Sequence, residues 1–156
     1  MESNSETNQD LSFPPRRILL AIDGSENAER AAQIAIDLSK RYKSDLIVLS
    51  IVPHPGTLAS APADYYDYYE RMIQKWIDEV IEDCQRQAVS VGGQIMRAQP
   101  SVPGAIVEVA ELEHVDIVVM GRRGLTMLKG GFRRALAGSV SSAVVSHAHC
   151  NVLIVK

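Results

Sequence analysis

Four short, almost wholly apolar runs limit what this chain can fold into. They are Arg17-Ile18-Leu19-Leu20-Ala21-Ile22, Leu46-Ile47-Val48-Leu49-Ser50-Ile51-Val52, Val115-Asp116-Ile117-Val118-Val119-Met120 and Val152-Leu153-Ile154-Val155. Each is too short for a buried helix, and none alternates apolar with polar residues. Continuous runs of this length read as strands covered on both faces, the pattern of a parallel sheet.

The segments between them carry helical spacing. Ser25 can cap a helix whose apolar stripe runs through Ala28, Ala31, Ala35, Leu38 and Tyr42 and is broken at Lys43-Ser44-Asp45. Pro53-His54-Pro55-Gly56 ends the second strand, and 57–63 reads as loop. A long helix is expected from about Asp64 to Val89, with Tyr65, Tyr69, Met72, Trp76, Val80 and Cys84 on one stripe. The aromatic residues of that stripe read as packing against the sheet rather than as a base-stacking platform. Gly92-Gly93 is expected to stop the helix in a left-handed turn, and Gln94–Gln99, a polar stretch, to form a third strand. Pro103 suits the first turn of a helix continued by Ile106, Val107, Ala110 and Leu112. A glycine- and arginine-rich segment fills 121–137, and Ser139–His147 reads as the last helix. Strictly alternating strands and helices predict one α/β domain, a doubly wound five-stranded parallel sheet with helices on both faces. Residues 1–15 read as a flexible tail and 16–156 as the folded domain.

Composition excludes several functions. Lys and Arg number 16 against 19 Asp and Glu, a net charge of −3, which disfavours a general nucleic-acid binder. No apolar run approaches the roughly 18 residues that cross a bilayer, and Met1–Asp10 lacks the character of a secretory leader. The cytoplasm is the expected compartment. Cys84 and Cys150 lie too far apart for a CxxC metal site and read as small buried hydrophobes. His147 and His149 fall where a helix ends and suit its dipole better than a metal, while His54 and His114 are isolated.

Ligands of open parallel sheets bind beyond the carboxyl ends of the strands, where strand order reverses. The fourth strand leads into Met120-Gly121-Arg122-Arg123-Gly124, and Gly138-Ser139-Val140-Ser141 opens the last helix. Gly121 and Gly124 allow a close backbone approach, a helix start suits a phosphate, and Ser139 and Ser141 offer hydroxyl groups. Arg122, Arg123, Lys129, Arg133 and Arg134 lie between, and no acidic residue follows Asp116. In a chain of negative net charge this asymmetry points to an anionic ligand, against the alternative of a solvated basic loop. Asp23, after the first strand, suits either a ribose hydroxyl or base amine, or a tight turn in which it caps nearby N–H groups. The chain has no GxxxxGK[ST], no GxGxxG after the first strand and no GxSxG. No general base stands beside the phosphate segment, so an enzyme is not expected; slow hydrolysis or autophosphorylation at Ser139 or Ser141 stays open.

Three pieces in order resemble the universal stress protein family: Ile18-Leu19-Leu20-Ala21-Ile22-Asp23-Gly24-Ser25, Val115 through Gly124, and Gly138-Ser139-Val140-Ser141 running on to Val155. The resemblance covers Arg16 to Lys156. It implies a Rossmann-like sheet of the adenine nucleotide alpha hydrolase type and a homodimer formed through the last strand, residues 151–156. The ATP-binding branch carries G-x-x-G, nine residues, then G-[ST]. Carried over, Gly121, Gly124, Gly138 and Ser139 match its phosphate- and ribose-binding positions. Arg123, Val140 and Ser141 fall at neighbouring contacts, Asp23 near the ribose and base, and Ala21, Ile51 and Met120 around the adenine. The implied ligand is ATP, with Mg²⁺ bridging its phosphates and no metal ligand from protein side chains.

One departure from the family pattern stands out. The spacer from Leu125 to Ala137 has thirteen residues, the surplus being most simply placed at Gly130-Gly131-Phe132-Arg133. Its entropic cost is only about 0.3 kcal/mol. The extra turn is expected either to bring Arg133 or Arg134 onto the phosphates or to shield them. The expected function is a dimeric, nucleotide-dependent stress or signalling switch. The rival reading is a nucleotide-independent dimeric interaction module of the same family. Contact with RNA or DNA through the arginines is disfavoured, because only Phe132 accompanies them as a stacking residue.

Overall fold

The apolar runs pair as one parallel sheet. A computed structural model describes residues 13–52, 63–97, 101–122, 125–128, 131–134 and 138–156. The elements are β1 (Arg17–Ile22), α1 (Glu26–Tyr42), β2 (Asp45–Val52), α2 (Tyr65–Arg86), β3 (Val91–Arg97), α3 (Val102–Leu112), β4 (Ile117–Gly121), β5 (Leu125–Leu128), β6 (Gly131–Arg134), α4 (Ser139–His147) and β7 (Asn151–Val155). The five-stranded sheet has the order β3-β2-β1-β4-β7, all parallel. The chain builds outward from β1 to β3, returns past β1, and builds the other way through β4 to β7. The reversal lies between β1 and β4.

Alternation along each strand feeds two cores. Ile18, Leu20, Val48 and Val119 pack with α1 and α2, and Leu19, Leu49, Val118 and Met120 pack with α3 and α4. Ile18, Leu19 and Leu20 are fully buried, which is why the run is apolar at consecutive positions. Ser25 caps α1 by accepting a hydrogen bond from the Ala28 N–H at 3.2 Å, and Lys43 closes the helix in a left-handed conformation (φ 56°). Ser101 caps α3 in the same way through Gly104, with a proline in the first turn. The stripe of α2 is centred on Tyr65, Tyr69, Ile73, Ile77 and Cys84, so Met72, Trp76 and Val80 flank the core rather than fill it. Burial pushes the Cys84 thiol up to about 11.

Three expectations need correction or extension. Gly92-Gly93 does not end α2. The helix stops at Arg86, the left-handed residue is Ala88 (φ 57°), and both glycines lie inside β3. At Gly93 the reason is packing, since a Cβ there would come within 2.6 Å of Ile77 Cγ2, whereas Gly92 has open space beside it. The third strand accordingly spans Val91–Arg97 rather than 94–99. The glycine- and arginine-rich segment contains an antiparallel hairpin, β5–β6, with Leu125 opposite Arg134 and Met127 opposite Phe132. Phe13 rests edge-on against Tyr42, and the Ser44 hydroxyl donates to the Pro15 carbonyl at 2.6 Å, which ties 13–15 to the domain. Residues 1–12 of the expected tail lie outside the described residues.

Candidate functional site

The carboxyl rim of the sheet brings three of the expected residues to one face. Ala21 of β1, Ile51 of β2 and Met120 of β4 all belong to the core layer under α3 and α4. Ala21 and Met120 are register partners, on either side of the reversal point. Met120 is buried, while Ala21 and Ile51 are half-buried. Just past β1, the Asp23 Oδ1 accepts a hydrogen bond from the Ser25 N–H at 3.0 Å. This is the tight turn anticipated as one of the two roles of Asp23. Ser50 fixes the same rim from β2, its hydroxyl donating to the Ile22 carbonyl at 2.8 Å.

The glycines divide into two kinds. Gly121 ends β4 against the start of α1, where a Cβ would lie 2.9 Å from the Asn27 carbonyl carbon and 3.1 Å from the Ala28 nitrogen. Gly138 starts α4 at φ 84°, and among the described residues a Cβ there would meet only the Ser141 and Ser142 hydroxyls, at 3.6 Å. Lacking a side chain, Gly138 cannot cap α4, in contrast to the serines that cap α1 and α3. The first N–H groups of α4, like those of α2, thus lack the side-chain cap that α1 and α3 have. Ser139 is exposed, Val140 half-buried and Ser141 buried. The Ser141 hydroxyl lies 3.2 Å from both the Arg122 and Gly138 carbonyls, so its proton is directed at backbone rather than at open space. Arg123 and Gly124 lie outside the described residues, and Arg133 and Arg134 end strand β6. Among the described residues, no group of three or more His, Cys, Asp or Glu side chains is arranged to hold a metal ion. No helix among them is long and apolar enough to cross a membrane.

This rim can be compared with known proteins. The family model described as "Universal stress protein family" matches residues 14–156. The chain belongs to the universal stress protein family. A putative universal stress protein of Staphylococcus haemolyticus, SH1215, is 30% identical over 149 residues, covering 90% of this chain and 84% of the relative. Among solved structures, the universal stress protein UspA from Lactobacillus plantarum superposes with a TM-score of 0.74 at 22% identity, over 90% of this chain and 97% of that one. A universal stress protein in complex with cAMP superposes at 0.66 and 23% identity, over 91% and 97%. At these identities the likeness of the solved structures is one of fold.

Two residues of this universal stress protein rim escaped the sequence reading. Arg122 was counted there only as a charge. Its N–H donates to the Val155 carbonyl at 2.7 Å and its carbonyl faces the Ser141 hydroxyl, so its backbone ties β4 to both β7 and α4. Trp76 of α2 packs on Gly24 (φ 78°), beside Asp23, and lines a small pocket of about 50 Å³ with Ile22, Ala28 and Glu79. Nothing in the spacing of the chain pairs residue 76 with residue 24. A single tryptophan aligned with a helix stripe reads as core, and the left-handed glycine that receives it becomes visible only in three dimensions.

Proposed function

We propose that this protein binds an adenine nucleotide, ATP foremost, and acts as a dimeric stress or signalling switch rather than as a turnover enzyme. The observation that carries the reading is the convergence of Ala21, Ile51 and Met120 on one face beside the uncapped start of α4. An apolar floor takes a flat base, and a helix start without a side-chain cap takes an anion. Gly138 leaves that start open, since any side chain there would stand over the first turn. Ser139, exposed at the first helical position, is available to a ribose or phosphate oxygen. The match of Gly121, Gly124, Gly138 and Ser139 to the motif of the ATP-binding branch supports ATP as the ligand. The solved relative in complex with cAMP supports an adenine nucleotide more broadly. Mg²⁺ would accompany the phosphates, without a side-chain cluster of this chain to hold it.

The switch reading rests on a backbone connection. Ser141 joins the start of α4 to the Arg122 carbonyl, and the Arg122 N–H joins Val155 of β7. In the five-stranded sheet β7 is an edge strand, with β4 as its neighbour on one side. Pairing of two such edges, residues 151–156 of each copy, would bury both and form the dimer. A ligand that shifts α4 therefore acts on the dimer edge through two hydrogen bonds. The cytoplasm is the compartment that suits this role.

The test is nucleotide content. The purified protein is denatured, released small molecules are resolved by ion exchange, and the apo protein is titrated with ATP by calorimetry. About one nucleotide per subunit, or micromolar rebinding that Ser139→Ala weakens, is the expected result. A folded protein that neither releases nor rebinds an adenine nucleotide would sink the reading. The nucleotide-independent interaction module, which the β5–β6 hairpin in the lengthened spacer favours, would replace it.

A further inference from the structure

We infer that the pocket beside Trp76 is a second ligand site, one that takes the ammonium group of a small primary amine. It lies between α1 and α2, against Gly24 of the β1–α1 turn. Ile22, Ala28, Ala32, Trp76 and Val80 belong to the core layer under α1 and α2, whereas Ala21, Ile51 and Met120 belong to the layer on the other face of the sheet. The inference is therefore independent of the nucleotide reading. Sequence explains the space. Ala28 and Ala32 lie one turn apart on α1, and their short side chains leave room beside Trp76 and Val80 of α2. Ile22 of β1 adds a further apolar wall.

The charged side chains of the lining are both acidic, Glu29 from α1 and Glu79 from α2. Both are exposed, so the pocket meets solvent where the carboxylates stand. Among the described residues neither side chain has an ion-pair or hydrogen-bond partner. Arg30, the cation next to Glu29, is engaged by Glu26 and by the Lys156 carbonyl. Among the described residues no Lys, Arg or His lines the pocket. An indole attracts a cation held over its ring within about 6 Å, and a space of about 50 Å³ lined by that ring keeps an occupant near it. Size then selects among cations. An apolar cavity that holds benzene measures about 150 Å³, so this one takes a head group rather than a ring or a quaternary ammonium. A primary ammonium brings three donors and no acceptor, which suits carboxylates that only accept. A calcium ion asks for six or more oxygens and would find two carboxylates among apolar walls.

The experiment titrates the full chain with ethylammonium at fixed ionic strength and follows the emission of Trp76, the only tryptophan. A saturable change in the millimolar range is expected, as a cation–ring contact and two exposed carboxylates imply. Ethanol, neutral and of similar size, should give no saturable change, and neither should tetramethylammonium, which is too large. Glu29→Gln/Glu79→Gln alters two exposed positions, so its circular dichroism should match wild type. It should weaken ethylammonium binding by about fivefold. Trp76→Phe, read by ligand-detected NMR, should weaken it by about threefold, because indole is the strongest of the aromatic partners. Unchanged affinity in either variant overturns the inference. An emission change matched by ethanol or by sodium chloride also overturns it, as does a folded wild type with no saturable response. A stronger response to Mg²⁺ than to ethylammonium overturns it too, and would make the two carboxylates a metal site.

Discussion

Replacing Gly24 by alanine tests the contact between the β1–α1 turn and α2. Gly24 has φ 78°, and a Cβ placed on it would lie 2.1 Å from Trp76 Cζ2 and 2.3 Å from Cε2. Two costs follow. A left-handed alanine costs about 1–2 kcal/mol. Forcing a methyl group into the indole contact adds about 1–3 kcal/mol as the ring is displaced. Gly24→Ala should therefore destabilise the protein by about 3 kcal/mol. In a Trp76→Ala background the second cost vanishes and about 1–2 kcal/mol should remain. The assay is urea unfolding of the four proteins of the cycle. It is followed by far-ultraviolet circular dichroism, because Trp76 is the only tryptophan and its removal abolishes the fluorescence probe. The expected coupling is at least about 1 kcal/mol. A coupling below about 0.5 kcal/mol, the ordinary scatter of independent sites, would refute the contact.

Further outcomes follow from the same geometry. Ser141→Ala should cost about 1–2 kcal/mol in chemical denaturation, because the Arg122 and Gly138 carbonyls lose their shared donor, and it should weaken any dimer measured by sedimentation. Gly121→Val should lower stability by about 3 kcal/mol in the same assay, since the new side chain overlaps the backbone of Asn27 and Ala28. Cys84 adds a pH dependence. Its thiol is raised from 9.0 to about 11 in the folded state, so the unfolded chain loses the proton first as pH rises. The stability from this group is complete below pH 9.0 and is lost toward about pH 11, on the order of 2 kcal/mol in all. Cys84→Val should flatten that part of the profile, and an unchanged slope would show that other groups produce it.

Much of the fold could be read because its signals are local. Consecutive apolar residues in β1, β2, β4 and β7 report burial on both faces, and the serine caps of α1 and α3 are written within four residues of each helix start. Gly92 and Gly93 misled because a glycine pair after a helix stripe suggests a terminus. The actual requirement, at Gly93, comes from Ile77 of the α2 helix packed on the sheet, which no local pattern encodes. The β5–β6 hairpin stayed hidden because glycine and arginine dominate its segment and no apolar alternation marks its strands. At the site, Gly138 and Ser139 were legible as a helix start, and Asp23 as a turn. The Ser141 hydroxyl was expected to serve a ligand, but its backbone partners come from Arg122 as well as from its own helix, a pairing nineteen residues apart.

The tight seat of Gly121 against α1 changes what that residue is evidence for. Any protein with this arrangement of β4 and α1 needs a glycine there to close its core, with or without a ligand. Finding one at that place in a related sequence therefore carries little information about nucleotide binding. Gly138 meets a demand of another kind, a left-handed backbone (φ 84°) that favours glycine with or without a ligand, whereas Ser139 is exposed and faces neither. The presence or loss of Ser139 is the more diagnostic mark. A sequence keeping both glycines while losing the serine is expected to be a well-folded protein that has given up its ligand.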